Sequence, residues 1–437
     1  MNAPAATPPH AAPPDAIARI VAWTAIFAFF YNVFGGLVRY LLADVGALYV
    51  SNIPSVLAVF YFIIYWTRLG ARRPIEPFMG VLLVWIGVFL FHAVIGPFVP
   101  MQSVFGFYIW AFFLLGALVV VYEQEDFVLR FMPLIWLCSV TGIFINSVVS
   151  FPWVGLSYEA HGLHMSMGIQ WWASNGVDRL PGFSRASYSV AGGILFSYAY
   201  ILASRRYHWT VKAACFVVSG VALYLTTNKT EIVALAVLPM IVAVYTYMKA
   251  SSPQSLVPYY WAQACQMALA VLIVFLPLTL GAHALFAIPD AGFFTSSSII
   301  DRILDVWPAS FQLLQQSGND LFGRGIGGVG MGQMVGEPLI WSPADNLFVY
   351  LFVTGGLFLV VPFFFSFFRS QKPVYLTDPA TFEPMALINF CALAVGITDS
   401  LIEDSLFAII VGMAVTRGFV RPYTARVKAA LTPPAVS

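Results

Sequence analysis

Residues 101–121 read MQSVFGFYIWAFFLLGALVVV, a stretch without one charged side chain. A helix that crosses the hydrocarbon core of a bilayer, about 30 Å thick, needs roughly 20 consecutive and mainly apolar residues. Inside that core every backbone N–H and C=O group must find its partner within the protein, and a helix satisfies them locally. We therefore predict that residues 101–121 form a transmembrane helix.

The rest of the chain has the same apolar character. Of its 437 residues, 60% are hydrophobic and 9% are charged, whereas soluble domains contain about 25% charged residues. So few charges cannot cover a water-facing surface, which excludes a soluble enzyme and makes membrane lipid an expected partner. The net charge of +1 gives no reason to expect nucleic acid as a partner. The composition predicts an all-α polytopic membrane protein.

Similar apolar stretches recur along the sequence and predict about twelve transmembrane helices. These spans are residues 17–43, 52–66, 78–96, 101–121, 128–149, 186–203, 209–226, 230–248, 262–285, 345–368, 384–398 and 402–416. The predicted regions are a disordered cytosolic tail (1–16), transmembrane helices 1–5 (17–149), a first periplasmic loop (150–185), transmembrane helices 6–9 (186–285), a second periplasmic loop with an interfacial helix (286–344), transmembrane helices 10–12 (345–416) and a cytosolic tail (417–437). The first tail is rich in Pro and Ala and lacks the basic start of a signal peptide.

Orientation follows from the basic residues, because short cytoplasmic loops carry an excess of Lys and Arg. Placing both termini in the cytoplasm leaves only six of the 21 basic residues on the outer side. These six are Arg39, Arg179, Arg185, Lys229, Arg302 and Arg324. Basic residues beside the bilayer usually have a partner and often a function. We expect the six outer cations to meet in one external cavity that binds a polyanion, since Arg matches phosphate through its planar fork of donors.

A local alternative explains some of these cations without a ligand. Each could pair with a nearby acid: Arg179 with Asp178, Lys229 with Glu231, and Arg302 with Asp305. The helical spacing of SSSIIDRILDVWPASFQLLQQSG (296–318) predicts the helix that we place at the outer membrane interface.

Further candidate residues lie in the outer segments. Asp345 precedes a long apolar stretch, where it could cap a helix, accept a proton, or do both. Asp301, Asp320, His161 and His164 are its rivals as proton acceptor. The acidic stretch GITDSLIEDS (396–405) is either a solvated turn or a set of hydrogen-bonding groups for a sugar. The four cysteines lie in apolar runs without a CxxC pair, so we expect no disulfide, metal site or cofactor.

Five short motifs together resemble the O-antigen ligase and Wzy-type polysaccharide polymerase superfamily. They are RLPGFSR (179–185), TTNKTEIVAL (226–235), DRILDVW (301–307), GRGIGG (323–328) and ADNLFVYLFVTGG (344–356). Within that superfamily, the length and plan are most similar to exopolysaccharide polymerases of the xanthan type. Two positions depart from the pattern: Lys229 stands where Arg is common, and Asp345 stands where ligases carry His, which favours a polymerase.

The resemblance implies a GT-C-like, metal-independent glycosyltransferase in a bacterial inner membrane. Its substrates would be oligosaccharides linked to undecaprenyl pyrophosphate, as donor and as acceptor, and its partners a chain-length regulator and an export complex. The implied catalytic residues are Asp345, Arg302, Arg185 and Arg324. The implied substrate-binding residues are Arg179, Lys229, Asn346, Asp301, His161 and His164.

Three other functions are compatible with the sequence. An O-antigen or glycan ligase would use the same fold with another acceptor. A flippase or transporter of lipid-linked oligosaccharides would carry out no chemistry, but it should show internal repeats and midplane charges, which we do not find. A scaffold for polysaccharide assembly would need none of the candidate residues.

Overall fold

The protein is described here by a computed structural model covering residues 16–69, 100–160, 163–168, 178–252, 255–279, 297–369, 371–377 and 379–417. These residues are mostly helical. The helices are α1 (Ala16–Val33), α2 (Gly35–Asp44), α3 (Ile53–Leu69), α4 (Pro100–Val121), α5 (Glu125–Leu129), α6 (Met132–Asn146), α7 (Ser187–Ala203), α8 (Trp209–Thr226), α9 (Lys229–Ser251), α10 (Val257–Leu278), α11 (Ser297–Asp301), α12 (Trp307–Ser317), α13 (Met331–Gly336), α14 (Leu347–Arg369), α15 (Gln371–Thr377), α16 (Pro379–Val395) and α17 (Ser405–Arg417). A π-helical turn, Arg302–Val306, joins α11 to α12.

The helices confirm a multi-pass membrane protein. Eight candidate spans in the described residues are long and apolar enough to cross a bilayer, and three shorter apolar helices accompany them. These eleven helices coincide with eleven of the predicted spans. The remaining one, residues 78–96, lies outside the described residues, so the count of twelve stays a prediction.

The first predicted span, residues 17–43, is two helices rather than one. α1 ends at Val33 and α2 starts at Gly35, because a loop packs into the break. The backbone N–H of Gly36 donates to the carbonyl of Phe183 at 3.0 Å. A Cβ atom on Gly36 would lie 2.5 Å from the indole nitrogen of Trp153, so a side chain there would push the loop away. Glycine at this position lets the loop that carries Arg185 approach the helix.

The segment that we predicted as the first periplasmic loop contains a two-stranded β-hairpin, beside the helices that the all-α prediction expected. Strand β1 (Ser157–Ala160) pairs antiparallel with β2 (Leu163–Ser166), and Tyr158 stands opposite Met165. The stretch SYEA…LHMS alternates polar and apolar residues, a pattern typical of a two-stranded ribbon.

Helix α14 is interrupted at Gly356, and the glycine-rich segment 319–330 fills the interruption. Gly356 has a φ of 59°, which breaks the helical ladder. The freed N–H groups of Leu357 and Phe358 donate to carbonyls of Asp320 and Leu321 at 2.9 and 3.0 Å. On the other side of the break, the N–H of Arg324 donates to the carbonyl of Val353 at 2.7 Å. The segment is thus a closely packed part of the fold.

The predicted interfacial helix packs inward. Trp307 is fully buried, and Phe311 contacts Phe352 of α14 edge to face. The apolar face that the sequence assigned to the membrane surface therefore covers the protein core, because α14 offers a competing aromatic surface.

Chain direction divides the bundle into two ends. α7, α9, α14 and α17 begin, and α1, α8, α10 and α16 finish, at what we call the site end. Hydrogen bonds join these termini: Leu347 N–H donates to the Gly396 carbonyl at 2.8 Å, and the Asn32 side chain donates to Asp404 at 2.6 Å. The opposite termini of the same helices form the other end of the bundle.

Candidate functional site

An ion pair between Arg302 and Asp345 lies at the site end. A guanidinium nitrogen of Arg302 is 3.1 Å from Oδ2 of Asp345, and both side chains are partly exposed. Arg302 starts the π-helical turn, whose wider coil follows α11, and it also donates to the carbonyl of Ser298. Asp345 has a φ of 42° and precedes α14. The local pairing of Arg302 with Asp305 was therefore the wrong alternative.

Asn346, not Asp345, caps α14. Its side-chain oxygen accepts from the N–H of Val349 at 3.0 Å, the N-cap geometry. Its amide nitrogen donates to the carbonyls of Ile273 and Ile397, both at 3.1 Å. The residue is fully buried. The hydrogen-bonding groups of Asn346 join three helices in this structure, and its role in substrate binding stays a prediction.

The loop RLPGFSR holds Arg179 and Arg185 against the same helix ends. Gly182 adopts a φ of 58°, and its N–H donates to the side chain of Asn146 at 3.1 Å. The hydroxyl of Ser184 donates to the carbonyl of Asn32 at 2.8 Å. The rings of Phe34 and Phe183 stack with centroids 5.4 Å apart. These contacts hold the backbone of the loop in place and thereby position the side chains of Arg179 and Arg185.

Three arginines of this site each bury a hydrogen-bond donor without a partner in the described residues. The Nε–H groups of Arg179, Arg185 and Arg302 are all in this state. The neighbouring turn adds two more unpartnered side-chain groups, the hydroxyl of Thr227 and the amide nitrogen of Asn228. Buried donors of folded proteins are nearly always satisfied, so an unsatisfied group calls for an explanation such as a missing ligand. Five such groups on loops and turns at the site end indicate a binding site for acceptor atoms.

Charged groups of both signs lie close to these donors. Glu231, in the first turn of α9, is buried and interacts electrostatically with both Arg179 and Arg302. Lys229 lies within electrostatic range of Arg179. Burial is the main cause that lowers the pKa of Arg179, and repulsion from Arg302 is the second. The structure thus brings together Arg179, Lys229 and Arg302, which are 123 residues apart at the extremes.

The acidic stretch 396–405 is packed against this group rather than solvated. Asp399 and Glu403 are half-buried, and both interact electrostatically with Asp345. Burial raises the pKa of Asp345, although Arg302 opposes the shift, and it raises the pKa of Asp399 well above its usual range. Burial likewise raises the pKa of Glu403 to about 8. The sequence offered Asp399 and Glu403 only as part of a solvated turn or as hydrogen-bonding groups for a sugar, because only the fold brings them to Asp345.

Asp404 belongs to the fold rather than to the site. Its carboxylate accepts from the side chain of Asn32 at 2.6 Å and from the N–H of Leu406 at 3.1 Å. It is therefore the N-cap of α17 and a link to α1.

Arg324 is held by protein partners in this structure, and its catalytic role stays a prediction. Its side chain is 2% exposed and forms a two-pronged ion pair with Glu337, with distances of 2.7 and 2.8 Å. It also donates to the carbonyl of Gly328 at 2.7 Å. Glu337 also accepts a hydrogen bond from the side chain of Gln102 in α4. The guanidinium is saturated by the protein and holds the glycine-rich segment in place.

The remaining predicted residues have other positions in the fold, and one of them falls outside the described residues. Asp301 is exposed at the end of α11, and Asp320 uses its carbonyl at the break of α14. His164 lies in β2, and His161 falls outside the described residues. Arg39 sits over the ring of Tyr31, 5.1 Å from its centroid, and donates to the carbonyl of Gly35.

In the described part of the chain, no group of three or more His, Cys, Asp and Glu side chains is arranged to hold a metal ion. What the described arrangement offers is a cluster of hydrogen-bond donors with positive charge, beside carboxyl groups whose pKa values burial raises. Such a site can bind an anionic group and exchange a proton with a second group next to it.

Comparison with known proteins adds no relative: no family model, no curated protein and no solved structure matches the chain. The class to which the protein belongs is therefore set by its own fold, that of a helical, multi-pass membrane protein.

Proposed function

We propose that the protein is a polysaccharide polymerase, a membrane glycosyltransferase that moves a growing glycan from undecaprenyl pyrophosphate to the non-reducing end of a lipid-linked repeat unit. The observation that carries the proposal is the set of buried, unpartnered guanidinium donors of Arg179, Arg185 and Arg302. They lie at the same end of the bundle as a group of carboxyls: Arg302 pairs with Asp345, and Arg185 interacts electrostatically with Glu403.

The leaving group of this reaction is a lipid diphosphate, on which negative charge grows as the glycosidic bond breaks. Fixed donors and cations stabilise such charge without having to reorganise. Arg302 and Arg179, which lie close enough to interact, supply such donors on one side of the site. Lys229 adds a further positive charge near Arg179. Arg185 lies on the side of Glu403. Each guanidinium nitrogen that lacks a protein partner would donate to a phosphate oxygen.

The acceptor sugar must lose a hydroxyl proton as it attacks. Asp345 is the residue best placed to take it, because its side chain remains 34% exposed while Arg302 orients the carboxylate. Burial raises the pKa of Glu403 to about 8, so at neutral pH it would donate a hydrogen bond to the sugars rather than accept this proton. Burial raises the pKa of Asp399 as well.

The location of the site fits the orientation expected from the basic residues. The site end carries Arg179, Arg185, Lys229 and Arg302 on helix termini and loops. Under the positive-inside tendency this end faces the periplasm of a bacterial inner membrane, with the termini in the cytoplasm. A lipid-linked donor presents its diphosphate at this depth, near the ends of the helices.

Purified protein and purified lipid-linked repeat units provide the test. The wild type should convert single units into a ladder of longer glycans, and Arg302→Ala should reduce the rate at least ~100-fold, in the range found for removing one donor to developing negative charge. Arg302→Lys keeps the charge but loses the fork of donors, so it should recover only part of the activity.

The matched control is Arg369→Ala, which removes an arginine at the last turn of α14, at the other end of the bundle. It should leave the rate unchanged. A folded wild-type protein that leaves the repeat units single would contradict the proposal, and glycan appearing on a lipid A core instead would identify a ligase.

A further inference from the structure

A cavity of about 140 Å³ lies at the other end of the bundle, away from the candidate site. Its wall is formed by the last turn of α7 and by parts of α8, α9, α10 and α16. Most of the wall is apolar, with side chains such as Leu202, Ile241, Phe382 and Leu387. A dry cavity of about 150 Å³ holds a molecule of the size of benzene. This one therefore has room for several methylene groups of a hydrocarbon chain.

Basic groups surround the cavity. Arg205 and Lys212 line it, and Lys249 lies one turn beyond Tyr245, with its ammonium nitrogen 5.7 Å from the centre of that ring. One carboxylate, Glu383, balances part of this charge: it is 3.5 Å from Arg205 and forms a close ion pair with Lys249. Three cations against one carboxylate leave a positive charge beside an apolar space.

A buried hydroxyl inside the wall lacks a partner. Tyr245 lines the cavity and is 9% exposed, and its hydroxyl has no hydrogen-bond partner among the described residues. A buried hydroxyl without a partner destabilises the folded protein, and a bound acceptor atom would remove this cost. The space beside it is therefore suited to a ligand that carries an oxygen acceptor between an apolar part and an anionic part.

We propose that this cavity binds an anionic glycerophospholipid such as phosphatidylglycerol. A segment of one acyl chain fills the apolar space, the hydroxyl of Tyr245 donates to an ester oxygen, and the phosphate lies against Arg205 and Lys212. Basic groups between transmembrane helices bind anionic headgroups in this way. A free anion would leave the apolar wall empty, whereas a phospholipid satisfies all three features at once. The proposal does not depend on the polymerase activity.

Native mass spectrometry of the detergent-solubilised full-length protein tests the proposal. The probes are phosphatidylglycerol and phosphatidylcholine with identical acyl chains, since phosphatidylcholine has no net charge. The wild type should bind the first phosphatidylglycerol about tenfold more tightly than phosphatidylcholine, because only the anionic lipid matches the surplus of positive charge. Equal affinities for the two lipids would overturn the proposal without requiring any variant.

Variants then locate the site. Arg205→Gln combined with Lys212→Gln should weaken phosphatidylglycerol binding about tenfold, while Arg369→Gln, a basic residue at the same end but outside the cavity, should change it less than about twofold. Tyr245→Phe should weaken both lipids several-fold, because both carry the ester. Equal losses in the double variant and in Arg369→Gln would refute the location. Displacement of the lipid by excess inorganic phosphate would refute the role of the acyl chain.

Discussion

At the scale of a single residue, the carboxyl group of Glu403 makes the stability of the protein depend on pH. Its carboxylate accepts a hydrogen bond from the N–H of Met331 at 2.5 Å, but burial outweighs this bond and raises its pKa to about 8. In the unfolded chain the pKa of a glutamate is about 4.3. Between these values the folded state holds a proton that the unfolded state has lost, so stability falls as the pH rises through this window.

Replacing Glu403 by Gln tests this reasoning. The wild type should lose thermal stability from pH 5 to pH 8, by at most about 1.4 kcal/mol per pH unit for this one proton. Glu403→Gln should flatten the slope, although Asp399 and Asp345 contribute in the same direction because burial raises the pKa of each. Unfolding midpoints in detergent across that pH range provide the measurement.

Asp126→Asn serves as the control, because Asp126 is an exposed carboxylate in α5. It should follow the wild-type curve. A slope that is identical in wild type and in Glu403→Gln would show that Glu403 is ionised in the folded protein throughout the range.

Single residues also show what the sequence could and could not predict. Arg302 was recognisable as an outer cation, but its partner was not, since Asp305 is three residues away and Asp345 is 43 residues away. Helical spacing favours the nearer acid, and only the path of the chain through the membrane decides otherwise. Arg324 had the same sequence signal as Arg302, yet it is sealed against Glu337. Burial distinguishes the two, and burial is a tertiary property.

Among the structural elements, the interrupted helix α14 and its inserted segment depend on glycine. Gly323 has a φ of 70°, and a Cβ atom there would lie 2.5 Å from the N of Gly355. Gly323→Ala should therefore lower the free energy of unfolding by ~1–3 kcal/mol, through backbone strain and the displaced helix. Gly220→Ala is the matched control: its Cβ atom would meet only Leu235, at 3.9 Å, within regular helix α8.

The control should stabilise the protein by ~0.5–1 kcal/mol, since alanine favours helix over glycine. Thermal unfolding of both variants in the same detergent measures the difference. Equal midpoints for the two substitutions would mean that segment 319–330 contributes little to folding.

The sequence predicted the membrane helices well, but it did not predict where those helices are interrupted. The span 209–226 was predicted with the same bounds as α8, because an uninterrupted apolar run is enough to specify a membrane helix. The breaks at Gly35 and Gly356 have no comparable signal. Glycines of the same kind continue the helix at Gly116 and Gly412, where close packing of α4 and α17 is the reason for their small size.

Across the whole molecule, a buried ion pair links distant parts of the chain at the other end of the bundle. Arg417 in α17 pairs with Glu125 in α5, and both side chains are less than 5% exposed. Breaking the pair leaves one buried charge, so Arg417→Met should destabilise the protein by ~3–5 kcal/mol. Arg417→Met together with Glu125→Leu removes both charges and should restore most of that loss.

Chemical denaturation of the wild type, of Arg417→Met, of Glu125→Leu and of the double variant checks this double-mutant cycle. Additive losses in the double variant would show that the two charges act independently. The cycle probes the opposite end of the bundle, so glycan transfer by the folded single variant should persist.

The assembly of the site was the least predictable feature of the whole molecule. Its residues come from the loop after α6, the first turn of α9, the π-helical turn, the start of α14 and the turn before α17. The outer cations could be grouped by their common side of the membrane, but Glu231, Asp399 and Glu403 gave only ambiguous local patterns. Their contribution depends on how the helix ends are arranged around one another.

The insertion of segment 319–330 into α14 has a mechanical consequence. Because main-chain hydrogen bonds join the two, the outer segment cannot lift away like a lid without unwinding the helix beneath it. Under the proposed function, a long polyprenyl tail would then enter sideways, from within the bilayer, while this segment stays in place.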